Sequence, residues 1–438
     1  MTAHQDRSAA TSADTFPQIF RVRQKFEAPM VDDVPGQVEA QLQRLDLGRA
    51  IAPGQTVALA AGSRGIHRIG EIIRTIVDHV KGLGAAPFIV PAMGSHAGGT
   101  AAGQRAILES LGITEVYCGC PVRASMETVI VCQAAEGFPV HFDRHAHGAD
   151  HVIVCNRIKP HTQFVGQIES GLLKMLLLGL GKLDGATVYH RAIKDFSFAQ
   201  ILRSVTDQVL ARCPITAGVA IVENSSGVTA RVDAVRPEQF AESDRELLVL
   251  AREWAPRLPF DCADVLLIDE IGKNISGTGF DVSATGRRFL DHEPAPEEYP
   301  KIRIIGLRDL TELSGGNAEG MGLAEFCRTR LLEKVDRQVT RVNALTSGHY
   351  TGAMMPLDYE SDGEMLGEML REIGLTEPPD ARLMWIRNTL SMTEVECSAA
   401  YLDEAHERQD LEILTPLRSL PVGVDGNLPD DFFDPTAA

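Results

Sequence analysis

Seven short apolar runs, rich in Val, Ile and Leu, constrain this chain more than any other feature. They are Thr56–Ala61, Phe88–Val90, Val129–Cys132, His151–Cys155, Val219–Val222, Val265–Ile268 and Ile302–Leu307. None alternates apolar with polar residues, so a strand built from one buries both of its faces. Helical patterns fall between them. Ile69–Val80 places Ile69, Ile72, Ile73, Ile76, Val77 and Val80 on one face before Gly82 and Gly84 stop it, and Gln104–Leu111 and Phe198–Val209 look similar. Strand–helix alternation with doubly buried strands predicts an α/β protein with largely parallel sheets.

At about 150 residues per domain, 438 residues make two large domains reasonable. The two prolines of Glu253–Asp261 (EWAPRLPFD) suggest a boundary there, after which a second strand-helix series starts. The expected organisation is a flexible tail over 1–15, one α/β domain over 16–255, a second over 256–405, and a wrapping segment over 406–438. A cleft between the two domains is the expected place for a site. The loop Asp291–Pro300 (DHEPAPEEYP) reads as an exposed connection.

Charge and composition narrow the partners. There are 60 acidic against 42 basic residues, a net charge of −18, with no Lys/Arg-rich run, so neither nucleic acid nor an anionic membrane is expected to bind. The most apolar stretch, Leu172–Leu180, is interrupted by Lys174 and falls short of the roughly 20 residues a bilayer requires. The N-terminal sequence is polar, without the apolar centre of a secretory signal. The eight cysteines show no disulfide spacing, and Cys118-Gly-Cys120 lacks the Cys-x-x-Cys pattern, so reduced thiols and a cytoplasmic setting are expected. The histidines of HFDRHAHGADH (His141, His145, His147, His151) run through a Gly/Asp loop without clear metal-ligand geometry, and His67 and His79 read as helix-surface residues.

Four segments could carry chemistry, each with a plainer reading beside it. Ala61-Gly-Ser-Arg64-Gly-Ile follows a strand, where α/β folds place ligands. The planar fork of Arg64 suits a carboxylate or phosphate, although a surface arginine in a turn would look the same. Pro91-Ala-Met-Gly94-Ser95-His96-Ala-Gly98-Gly99-Thr100 also follows a strand, and a histidine in such a glycine-rich loop is seldom a packing residue. The segment matches neither phosphate-loop pattern. His151–His161 (HVIVCNRIKPH) puts His161 in a loop past a strand end, where it is either functional or merely solvated. In Glu169-Ser170-Gly171-Leu-Leu-Lys174-Met175, followed by Tyr189-His190, a lysine interrupts an apolar run. Such a lysine either extends its ammonium to water or is consumed covalently.

Taken together and in this order, the His96 loop, Lys159-Pro-His161, Ser170-Gly-x-x-Lys174-Met175 and His190 resemble the lactate racemase family, over roughly Arg64 to His190. The chain is more similar to a divergent branch than to lactate racemase itself. The resemblance implies a nickel-pincer nucleotide (pyridinium-3-thioamide-5-thiocarboxylic acid mononucleotide) carrying Ni(II) and attached covalently at Lys174. It implies cofactor contacts at Ser170 and Gly171, His190 as nickel ligand, and His96 and His161 as paired acid/bases. Arg64 would hold the substrate carboxylate, and Lys273, in the loop Gly272–Gly279 of the second domain, would assist it. The first domain would hold the cofactor and the second would face the substrate.

The implied reaction is racemisation or epimerisation of a 2-hydroxy acid by hydride transfer. The C–H of such an acid is too weakly acidic for imidazole to deprotonate, whereas a cationic ring can accept hydride. The hydroxyl must lose its proton as hydride leaves, and histidine is matched to that task near neutral pH. Two enantiomers present their hydroxyls differently, which accounts for two bases. The implied partners are a small 2-hydroxy acid and the enzymes that make the cofactor, and homo-oligomerisation stays open. The competing readings are a metal-free α/β protein binding a sugar acid or other carboxylate, a zinc-dependent hydrolase using His96, His161 and His190, and a non-catalytic scaffold.

Overall fold

The structure, a computed structural model, describes residues 16–63, 65–162, 166–287 and 299–434. The expected tail at 1–15, Arg64 and most of the loop 291–300 lie outside the described residues. In chain order the strands are β1 (Ile19–Gln24), β2 (Thr56–Ala61), β3 (Ala86–Pro91), β4 (Thr128–Gln133), β5 (Pro139–Asp143), β6 (His151–Arg157), β7 (Ile215–Glu223), β8 (Thr229–Val235), β9 (Cys262–Ile271), β10 (Lys301–Leu310), β11 (Phe326–Arg328), β12 (Leu357–Tyr359), β13 (Leu383–Ile386), β14 (Glu394–Ser398) and β15 (Leu411–Ile413). The chain divides into two compact α/β units, one of residues 27–255 and one of 1–26 with 256–438.

The unit of 27–255 is built on a five-stranded sheet in the order β3-β2-β6-β7-β8. The first four strands are parallel, and β8 runs antiparallel to β7. Strands β2, β3, β6 and β7 bury apolar residues on both faces, whereas the edge strand β8 leaves Arg231 exposed. Val57, Leu59 and Ala61 of β2 enter one core with the helices Val34–Leu45 and Ile69–Gly82. Ala58 and Ala60 enter the other, with the helices Phe198–Arg212 and Phe240–Glu253. Ile69–Gly82 buries the six residues its periodicity singled out.

Val129–Cys132 departs from expectation. It forms β4, but pairs antiparallel with β5 in a two-stranded ribbon rather than joining the parallel sheet. Only one side of the ribbon packs on the core, through Val129, Val131 and Cys132, and Ile130 stays exposed. Four apolar residues in a row do not reveal which strand lies alongside.

The second unit carries an eight-stranded sheet in the order β12-β11-β10-β9-β13-β14-β1-β15. Its first five strands are parallel, and β14, β1 and β15 extend it antiparallel. Because β1 bonds to β14 and β15, residues 16–26 count with this sheet, which moves the start of the other unit from 16 to 27. The segment from 406 supplies β15 and then packs inward. Arg308, fully buried, donates to the carbonyls of Leu428 (2.7 Å) and Pro429 (3.2 Å), and Phe432 stacks on Trp385 at 4.5 Å. All eight cysteines are free thiols. No described helix is long and apolar enough to cross a membrane.

Candidate active site

Parallel pairing of β2 with β3 and β6 (Ala61 opposite Pro91, Ala60 opposite Val154) sends three of the sequence-marked loops out over one edge of the sheet. The loops after β2 and β3 meet where the Ser63 hydroxyl bonds His96 Nδ1. The backbone beneath His96 is held separately. The buried Gln104 side chain donates to the Gly94 carbonyl (2.9 Å), and the Gly94 N–H donates to the carbonyl of Gly179 (3.3 Å). Gly94 has φ +57°, and a Cβ there would come within 3.1 Å of the Leu178 carbonyl oxygen, so glycine is needed. Through Gly179 the His96 loop rests on the segment that follows Lys174.

The loop after β6 folds back onto the start of that same segment. Ser170 Oγ accepts from the Lys159 N–H (2.8 Å) and donates to the Lys159 carbonyl (2.5 Å). The buried Glu169 carboxylate accepts from the N–H groups of His161 (2.9 Å) and Gly166 (3.0 Å) and from Arg252 Nη2 (2.7 Å). Asn156 Nδ2 donates to the Gly171 carbonyl (2.9 Å). Asp244 then caps the helical turn Leu172–Lys174, accepting from the N–H groups of Leu172 and Leu173 at 2.9 Å each. Burial pushes the Asp244 carboxyl up to about 7, outweighing the two N–H bonds that favour its charged form. Lys174, half-buried, leads into a π-helical turn, Met175–Gly179, a rare geometry that is frequent at functional sites.

Two lysines interrupt this apolar region, and their surroundings separate them. Lys182 is fully buried, paired with the buried Asp143 carboxylate at 3.0 Å, and donates to the carbonyl of Pro91. Burial lowers its pKa and the Asp143 charge opposes that shift. Its amine is therefore committed to structure, and Lys174 is the lysine of the two with an exposed portion. Lys182 opens the helix Lys182–Asp195, on which His190 sits half-buried. The neighbouring Tyr189, fully buried, accepts from the His141 N–H at 2.8 Å and so pins this helix to β5.

The other sequence-marked residues have bonds of their own. Lys273 Nζ donates to the carbonyls of Gly277 (2.5 Å) and Glu319 (2.7 Å) and to Glu319 Oε2 (2.7 Å), which uses an ammonium's three donors to staple its own loop. His141 bonds Thr128 Oγ1 (3.0 Å), while His151, at the opposite end of β6 from His161, bonds Thr216 Oγ1 (2.9 Å) and Gln55 Oε1 (3.0 Å). His67 and His79, read as helix-surface residues, are tied inward to Thr229 and Glu39. Among the described residues no group of three or more His, Cys, Asp or Glu side chains converges as a metal-ligand set. Sequence reasoning missed the supporting residues Ser63, Asp143, Lys182, Asp244 and Arg252. Asp244 and Arg252 lie far along the chain from what they hold, and only the fold brings them there.

Fold and site together define a protein of two α/β units in which the His96 loop, the His161 loop and the segment around Lys174 are bonded to one another at the carboxyl edge of a parallel sheet. The lactate racemase apoprotein from Thermoanaerobacterium thermosaccharolyticum is a solved structure of similar fold. The TM-score is 0.50 at 13% identity, covering 84% of this chain and 99% of that one. No family model matches the chain, and no curated protein matches it in sequence.

Proposed function

We propose that this protein is an isomerase that racemises or epimerises a 2-hydroxy acid, using a nickel-pincer nucleotide tethered at Lys174. The observation that carries the reading is the linkage of the His96 loop, the His161 loop and the Lys174 turn at one sheet edge, through Gly94–Gly179, Glu169–His161 and Ser170–Lys159. The similar fold of a lactate racemase apoprotein supports it.

The residues fit such a group. Lys174 is a half-buried lysine on a capped turn. His190 supplies imidazole, a suitable nickel donor. When bound, the group supplies a cationic ring able to take and return hydride.

The chain's own residues would do the rest. His96 and His161 stand on separate loops held from different directions, as two bases serving opposite faces of a substrate should. One takes the hydroxyl proton as the substrate becomes a planar 2-keto acid, and the other gives a proton back when the opposite face is reduced. Arg64, adjoining Ser63 in sequence, would hold the carboxylate while the keto acid turns. Lys273 receives no substrate contact in this reading, because its ammonium is bonded within its own unit.

The test is a panel of single-enantiomer 2-hydroxy acids incubated with protein produced alongside the cofactor-synthesis enzymes. Formation of the opposite enantiomer, abolished by His96→Ala and by His161→Ala with nickel retained, is expected. Wild-type turnover in either variant would overturn the two-base scheme. Tight carboxylate binding without turnover or nickel would favour the metal-free binding protein.

A further inference from the structure

Ser63 stands outside the residues assigned so far. It lies two positions past the end of β2, while His96 lies five positions past the end of β3, and the pairing of Ala61 with Pro91 starts both loops level. The His96 main chain is fixed by bonds that do not involve its ring. Its N–H donates to the Met93 carbonyl (3.1 Å), its carbonyl accepts from Gln104 Nε2 (3.4 Å), and Gly94 is tied to Gly179. These bonds hold the backbone and do not themselves set rotation of the imidazole about its side-chain torsions. The Ser63 hydroxyl, at Nδ1, bears on that rotation.

We propose that Ser63 is a positioning residue for His96. With its hydroxyl accepting from Nδ1–H, it holds the ring in one orientation and in the Nδ1–H tautomer, in which Nε2 is the nitrogen that exchanges a proton with the substrate hydroxyl. The consequence for turnover rests on the function proposed above, but the Ser63–His96 relationship does not. A catalytic base needs a second group to orient it, and that group sets which ring nitrogen is basic. A hydroxyl can accept from Nδ1–H both before and after Nε2 takes a proton, so the ring keeps its placement throughout the transfer. Methyl at position 63 removes the bond and leaves the loop bonds intact. Threonine keeps the hydroxyl.

The experiment uses the full chain without added cofactor, labelled with 15N-histidine, with His96→Gln to identify the His96 signals. In the wild type the ring nitrogens should report one dominant tautomer with Nδ1 hydrogen-bonded. Ser63→Ala should shift that balance and Ser63→Thr should restore it. Unchanged His96 nitrogen shifts in Ser63→Ala would overturn the proposal whether or not the protein racemises anything. In holoprotein, Ser63→Ala should lower kcat roughly tenfold, the loss expected for one hydrogen bond, with KM little changed. An unchanged kcat would overturn the catalytic consequence. If wild-type holoprotein shows no turnover, the proposed function fails and the nitrogen shifts alone decide the positioning.

Discussion

Gly171 leaves the space that the Asp244 carboxylate fills: a Cβ on Gly171 would lie 2.3 Å from Asp244 Oδ1. The glycine that the resemblance places beside a cofactor thus also has an internal reason to be glycine. Its φ of +103° is a second one. Gly171→Ala should lower unfolding free energy by at least about 2 kcal/mol, from backbone strain plus displacement of the carboxylate. Gly82→Ala, where a Cβ meets nothing, should leave stability unchanged or raise it by up to about 1 kcal/mol. Urea midpoints of the two variants check this, and equal midpoints would contradict it.

Asp244→Asn replaces one of two acceptors with a donor facing an N–H, and should cost about 1–3 kcal/mol. The pH dependence has a definite sign. Burial raises the folded carboxyl to about 7 from an ordinary 3.8, so the folded state binds this proton more tightly than the unfolded chain. The associated stability is fully present below the unfolded value and is lost as pH rises through about 7. The stability advantage of wild type over Asp244→Asn should therefore shrink between about pH 4 and pH 7. Chemical denaturation at several pH values measures it, and a widening gap would contradict the sign.

Lys182 and Asp143 are both fully buried, so removing one charge strands the other. Lys182→Met should cost about 3–5 kcal/mol, and adding Asp143→Asn should recover part of that loss. A double-mutant cycle reads the coupling, and additive losses would show that the pair does not act as a unit.

Glu169→Ala removes the acceptor of the His161 and Gly166 N–H groups, so both amides should exchange with solvent at least roughly tenfold faster. Arg252, the carboxylate's other partner, is nearly half exposed, and Arg252→Ala should cost under about 1 kcal/mol. Site-resolved hydrogen exchange separates the two, and unchanged protection in Glu169→Ala would contradict the assignment.

How far the sequence could be read depended on the range of the interactions involved. Doubly buried strands announce themselves locally, so β2, β6, β7 and β9 were legible as unbroken apolar runs, β10 as a run interrupted by Arg303, and the Ile69–Gly82 face as a period. Strand β4 was legible as a strand but not in its partner, because pairing is chosen by tertiary packing. The short strands β11 to β15 carry too few residues to show a period, and β1 joins a sheet whose other strands begin more than two hundred residues later. The loops of His96 and His161 were legible because glycine and proline punctuate them. The residues that hold them and the Lys174 turn were not: Gln104, Asp244 and Arg252 are ordinary members of amphipathic helices until the fold brings them there.

The Lys174 amine is the proposed point of cofactor attachment. Peptide mapping by mass spectrometry of protein produced with the cofactor-synthesis enzymes should find a nucleotide-derived adduct on Lys174 and none on Lys182, with Lys174→Ala carrying no adduct and no stoichiometric nickel. An unmodified Lys174 in wild type, or an adduct that persists in Lys174→Ala, would contradict it.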